Sequence, residues 1–218
     1  MMNYKAVFFD FDYTLGDATE AIHQAFVYAL TTMGYPAPDR ETVRHTIGMV
    51  VTDAFTMLTG DGSAEGQERF YSLFHPVSGG LQSRGQVELF PGAVELLKGL
   101  KAAGMSAGLV STKNAAVLQA IVEVKGLDGL FAQVVGGGTV KSHKPDPEGL
   151  LWAMNSLGLE REQLPYCGDT TIDAQTAQNA GVDFCAVLNG TTTAEDFAPY
   201  PSVHIAPDLW DLKRWLGI

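Results

Sequence analysis

Residues 5–17 read Lys-Ala-Val-Phe-Phe-Asp-Phe-Asp-Tyr-Thr-Leu-Gly-Asp, an apolar run that ends in two acids two positions apart. Tyr4 to Phe9 reads as a strand buried on both faces, as in a parallel sheet. Ligands of such sheets bind beyond the carboxyl ends of the strands, and Asp10 stands at that end. Side chains two apart in an extended chain share a side, so Asp10 and Asp12 reach one small volume. Carboxylates held that close repel, and either one takes a proton or a divalent cation such as Mg2+ removes the repulsion. The alternative for this segment alone is a turn capped by Asp10 with Asp12 solvated.

The chain has 218 residues, 46% of them hydrophobic, enough for one large domain or a medium one with a smaller companion. A net charge of -11 disfavours nucleic acid and anionic membranes as partners. No stretch has the length of a membrane span and the first residues lack a leader pattern, so a cytoplasmic protein is expected. Cys167 and Cys185 sit in apolar runs and read as buried thiols. Asn189-Gly190-Thr191 matches a glycosylation pattern, which has no meaning in a protein that is not secreted.

Beyond residue 90, helical and extended signals alternate. Pro91 to Ala103 reads as a helix and Ser106 to Val110 as a strand. Asn114 caps a helix running towards Lys125, and Phe131 to Val135 is the next strand. Asp146 caps a helix with Pro147 in its first position. A strand at Leu164 to Cys167, a helix at Thr171 to Ala180, a strand at Phe184 to Leu188 and a closing helix at Leu209 to Leu216 follow. This order predicts an α/β fold, a Rossmann-like parallel sheet with helices on both faces.

Residues 17–82 contain no strand-like run, and Ile22, Ala25, Phe26, Ala29, Leu30 and Met33 mark an amphipathic helix. The expected organisation is a core of residues 1–16 and 83–218 with an all-helical insertion at 17–82. Asp17 reads as the cap of the first inserted helix.

Three other segments reach the same sheet edge as Asp10: Ser111-Thr112-Lys113-Asn114, Lys144-Pro145-Asp146-Pro147 and Gly168-Asp169-Thr170-Thr171-Ile172-Asp173. Hydroxyl and amide donors at a helix start suit phosphate. Asp173, in a first helical turn, is also favoured there by the helix dipole alone. The five histidines show no ligand spacing.

With these four segments in order, the chain resembles the haloacid dehalogenase superfamily, in the branch of phosphoglycolate phosphatases and beta-phosphoglucomutase, whose small helical cap resembles the insertion. The resemblance implies a Mg2+-dependent phosphatase acting on a small phosphorylated metabolite through an aspartyl-phosphate. In that family Asp10 would be the nucleophile and Asp12 the general acid and base. Ser111 and Thr112 would bind phosphate, and Lys144 would supply positive charge. Mg2+ would be held by Asp10, the Asp12 carbonyl and Asp169, with Asp173 orienting metal-bound water.

Asp12 argues for phosphate-ester chemistry, because dehalogenases and phosphonatases of the superfamily lack an acid there. The mutase has a cap His five residues after its equivalent of Asp17, where this chain has Ile22; His23 is one place on and turned about 100° away. Hydrolysis is therefore preferred to isomerisation. A pyrophosphatase, a nucleotidase and a non-catalytic phospholigand-binding module are the other readings.

Arg44 and Tyr13 are the candidates for contact with the rest of the substrate, and Arg44 facing solvent is the alternative for it. Many relatives have Gly at the position of Tyr13, and the Tyr suggests a turn that does not need a residue without a side chain. A monomer or weak homodimer is expected.

Overall fold

The computed structural model describes residues 4–218. Strand β1 (Ala6–Phe9) is followed by β2 (Gly16–Asp17) and by four helices, α1 (Thr19–Thr32), α2 (Arg40–Arg44), α3 (Val51–Thr59) and α4 (Ala64–Ser83). Next come β3 (Glu88–Leu89), α5 (Ala93–Ala102), β4 (Ser106–Asn114), α6 (Ala115–Val124), β5 (Gln133–Gly137) and α7 (Glu148–Ser156). A 3-10 turn at Arg161–Gln163 leads to β6 (Pro165–Gly168), α8 (Thr171–Ala180), β7 (Asp183–Val187), β8 (His204–Ala206) and α9 (Leu209–Leu216). The chain divides into two compact units, residues 1–17 with 89–218, and residues 18–88.

The larger unit holds a six-stranded sheet in the order β5-β4-β1-β6-β7-β8, with every named pairing parallel. The chain runs from β1 outward to β4 and β5 on one side and to β6, β7 and β8 on the other. The order therefore reverses beside β1, where open α/β sheets bind ligands. All four residues of β1 are fully buried. Ala6 and Phe8 join one core cluster with Leu150, Ala153 and Met154 of α7 and Ala174, Ala177 and Ala180 of α8. Val7 and Phe9 alternate to the opposite face. The Phe8 ring fills the space a side chain would need at Gly108, its register partner on β4.

Local signals explain most boundaries. Asn114 accepts from the amides of Ala116 and Val117 at the start of α6, and Gly181 and Gly217 close α8 and α9 in the left-handed conformation. Four expectations shift. Strand β4 continues to Asn114, with an irregularity in its pairing to β5 between Val110 and Asn114, so Ser111 to Asn114 extend a strand rather than follow one. Strand β5 starts at Gln133 rather than Phe131. Pro147 is the residue before α7, although the Asp146 side chain still accepts from the Glu148 amide. Asp17 is not a helix cap: α1 begins after Ala18 without a side-chain cap, and Asp17 lies in β2, which pairs with β3.

Within residues 18–88, Phe26, Phe55, Phe70 and Phe74 of α1, α3 and α4 pack ring against ring at centroid distances of 4.8–5.4 Å. Tyr35 closes the cluster edge-on against Phe55, and its hydroxyl donates to Asp61. Among the described residues no helix is long and apolar enough to cross a membrane.

Candidate active site

Because β4, β1 and β6 are adjacent and in register, their ends bring Ser111, Asp10 and Asp169 together. Phe9 lies opposite Leu109 and Cys167. After Phe9 the chain turns tightly, with the Phe11 carbonyl accepting the amides of Thr14, Leu15 and Gly16. Tyr13 sits in this turn at φ 54°, the left-handed region. The turn does adopt the conformation that glycine prefers, and the buried Tyr13 ring is accommodated in it.

Asp10 is 2% exposed. The Lys144 ammonium lies 3.0 Å from its Oδ1 but outside hydrogen-bonding geometry, so that oxygen accepts no hydrogen bond among the described residues. Ser111 hydrogen-bonds the same carboxylate. Burial pushes the Asp10 carboxyl up to about 6, against the pull of Lys144 and helped by the negative charges of Asp173 and Asp12.

Lys144 is itself buried. Burial would lower its pKa, yet Asp10 and Asp173 outweigh that and hold it well above the ordinary lysine value. Its Nζ lies 2.6 Å from Asp173 Oδ1 and 3.1 Å from the Tyr166 hydroxyl. Asp173 is the third residue of α8 and forms a reciprocal capping box with Thr170, whose amide and hydroxyl both donate to Oδ2. Both Asp173 oxygens are thus engaged, one by Lys144 and one by the helix cap.

Asp12 pairs through Oδ2 with the Lys113 ammonium at 3.0 Å, while its Oδ1 is buried with no hydrogen-bond partner among the described residues. Asp169 is buried, and burial, then Asp173 and Asp10, drive its carboxyl well above the usual range. Ser111, Thr112 and Lys144 line one cleft together with Ser142, His143 and Asp146. Arg44 lies in α2 of the helical unit, where it pairs with Glu41 at 3.2 Å. His23 contacts the Pro38 carbonyl there.

Three contributors are absent from the motif reading. Lys113 is one, although it stands two residues after Ser111. Tyr166 is another: from β6 its hydroxyl donates to the Val110 carbonyl at 2.6 Å, tying the segment before Ser111 to Lys144 and Asp173. The third is the Asn189-Gly190 loop after β7. Asn189 donates to the Thr14 carbonyl, and Gly190 lies against Asp169. Only Lys113 had a sequence signal, a cation in the donor segment at the same edge.

The site suits a hard dication. Asp10, Asp169 and Asp173 each offer an oxygen within 4.8 Å of the others. With all four carboxylates (Asp10, Asp12, Asp169, Asp173) ionised against two ammonium groups (Lys113, Lys144), two negative charges would lack a counter-charge, which a bound dication would supply. An all-oxygen donor set with buried, partnerless oxygens fits Mg2+.

The family model described as haloacid dehalogenase-like hydrolase matches residues 7–187. The chain is 34% identical to "Probable phosphatase IndB" of Dickeya dadantii over 87% of its own length and 83% of that protein's. It is 30% identical to phosphoglycolate phosphatase 1 of Pseudomonas aeruginosa, covering 95% of this chain and 78% of that one. A crystal structure from Bacteroides fragilis, described among the haloacid dehalogenase-like hydrolases, superposes with a TM-score of 0.91 at 36% identity over 96% of this chain and 99% of that one.

Proposed function

Since the chain belongs to the haloacid dehalogenase-like hydrolases, we propose that it is a Mg2+-dependent phosphatase that hydrolyses a small phosphorylated metabolite through an aspartyl-phosphate on Asp10. The observation that carries this reading is Asp10 Oδ1, a buried carboxylate oxygen that accepts no hydrogen bond among the described residues although Lys144 lies beside it. An oxygen held in that state is available to attack phosphorus.

In the first step an Asp10 oxygen forms a bond to phosphorus while the bond to the ester oxygen breaks. Asp12, which enters this step protonated and regains its proton from water in the second, gives that proton to the departing oxygen, and Lys113 steadies the carboxylate that remains. Ser111, Thr112 and Lys144 hold the phosphoryl oxygens, with Lys144 fixed by Asp173 and Tyr166. In the second step Asp12 takes a proton from water, the water oxygen bonds to phosphorus, and the bond to Asp10 breaks to release phosphate. Asp10, the Asp12 carbonyl and Asp169 would hold Mg2+, with Asp173 beside it, and the ion would supply charge neutralisation for the phosphoryl oxygens.

We assign residues 18–88 the role of a cap that selects the leaving group, with Arg44 and Tyr13 as substrate-contacting candidates. The phosphatase names of the relatives support the ester class.

The test is phosphate release with and without Mg2+ from phosphoglycolate, hexose phosphates, pyrophosphate and nucleotides, with Asp10→Asn as control. Release by wild type alone supports the proposal. Equal inactivity of both proteins across the panel, or conversion of one sugar phosphate into another without phosphate release, would remove it.

A further inference from the structure

We infer that Gly190, in the loop after β7, is a positioning residue for the Asp169 carboxylate and so for the choice of Mg2+ over larger cations, an inference that rests on the metal reading above. Asp169 is held from two sides. Thr14 Oγ1 donates to its Oδ1 at 3.4 Å, and Asn189 Nδ2 donates to the Thr14 carbonyl at 3.1 Å, tying the loop to the residue that makes the first contact. On the other side the Gly190 backbone lies against Oδ2. A Cβ built on Gly190 would overlap Asp169 Oδ2 and come within 3.2 Å of the Tyr13 Cβ.

Two features separate this role from a purely structural one. Gly190 is absent from the glycines at positive φ, so alanine is allowed by its backbone conformation. The atom a methyl group would meet first is the far end of a short side chain, which can rotate without moving the backbone. The substitution should therefore leave the fold intact and displace the carboxylate. Mg2+ demands near-ideal octahedral oxygens at about 2.0–2.1 Å, whereas Ca2+ accepts irregular geometry at about 2.3–2.6 Å. A displaced Asp169 should penalise Mg2+ far more than Ca2+.

The experiment is calorimetric titration of metal-free wild type and Gly190→Ala with Mg2+ and separately with Ca2+, alongside metal-free melting curves. The expected result is a Mg2+ affinity reduced roughly tenfold to a hundredfold, the range for outer-sphere changes at metal sites. Ca2+ affinity should change less than about threefold, with metal-free melting close to wild type. Equal losses for both ions, or unchanged Mg2+ affinity, would overturn the inference while leaving the phosphatase reading in place. Failure of wild type to bind Mg2+ would overturn both. If Gly190→Ala does not fold, Asn189→Ala takes its place: freeing the loop from Thr14 should lower Mg2+ affinity at least threefold, and an unchanged value would overturn the inference.

Discussion

Lys144→Met replaces a buried ammonium by a side chain of similar reach and no charge. In the wild type that ammonium stands 3.0 Å from Asp10 Oδ1 and 2.6 Å from Asp173 Oδ1. Because methionine keeps most of the packing, the change falls on the two carboxylates left without a counter-charge. Removing one partner of a buried ion pair destabilises by about 3–5 kcal/mol. In a chain of this size each kcal/mol lowers Tm by about 2–4 °C, which gives about 6–20 °C.

The loss should depend on pH with a definite sign. Asp10 already sits at about 6, above the ordinary carboxylate value, and loses the Lys144 pull that holds it down. A carboxyl whose folded pKa is raised weakens the folded state above its unfolded pKa and regains that stability as pH falls through the folded value. The gap between variant and wild type in urea denaturation, measured in chelator, should therefore be largest near pH 8 and shrink towards pH 5.5. A loss below about 1 kcal/mol that is constant over this range would refute the buried bridge.

Asp169→Asn in metal-free protein should raise Tm at pH 7.5, since burial and like-charged neighbours hold that carboxyl well above its usual range and an amide removes the charge; under the proposed function Mg2+ should raise the Tm of wild type and not that of the variant. Tyr13→Gly relieves a left-handed residue by about 1–2 kcal/mol but deletes a ring only 4% exposed, a loss of about 3–5 kcal/mol by analogy with Phe→Ala, so urea denaturation should show net destabilisation; a stabilised variant would mean that strain outweighs packing. Asp39, Asp61, Asp196 and Asp211 are held below the ordinary carboxylate value by hydrogen bonds, from Thr42, Ser63, Thr193 and His204 respectively as the chief donors. Their contribution is complete above about pH 3.9 and disappears as pH falls through their lower folded values, so the Asp61→Asn Tm deficit seen at neutral pH should fade as pH falls below about 3.9.

The strand at residues 6–9, the amphipathic α1 and the Asn114 cap were legible because each depends on local pattern. Asp10, Ser111 and Asp169 were legible for a topological reason: Asp10 and Asp169 follow β1 and β6, Ser111 lies in the last part of β4, and parallel strands deliver their ends to one edge. Tyr166 was not, because in sequence it is one more apolar residue of a buried strand, and its hydroxyl acquires meaning only through the Val110 carbonyl, which lies in β4, two strands away in the sheet. The Asn189-Gly190 loop was read through a glycosylation pattern, since its closeness to Asp169 depends on β7 lying beside β6. Asp17 was misplaced because an acid before a helix has the same local signature whether it caps that helix or, as here, ends the short strand β2. Tyr13 was misread for the opposite reason: a non-glycine residue argued against a positive φ that the turn nevertheless adopts.

The central claim, that Asp10 carries the phosphoryl group, is tested most directly by trapping. A phosphate ester whose leaving group needs no protonation, such as p-nitrophenyl phosphate, is mixed with Asp12→Asn protein, which retains the nucleophile but lacks the acid of the first step and the base of the second. The reaction is quenched in acid and treated with borohydride, which reduces an acyl phosphate to an alcohol. Peptide mass spectrometry should find homoserine at position 10, dependent on substrate and absent from Asp10→Asn. Substrate turnover by wild type with unmodified Asp10 in every quenched sample, or homoserine at another aspartate, would contradict the account.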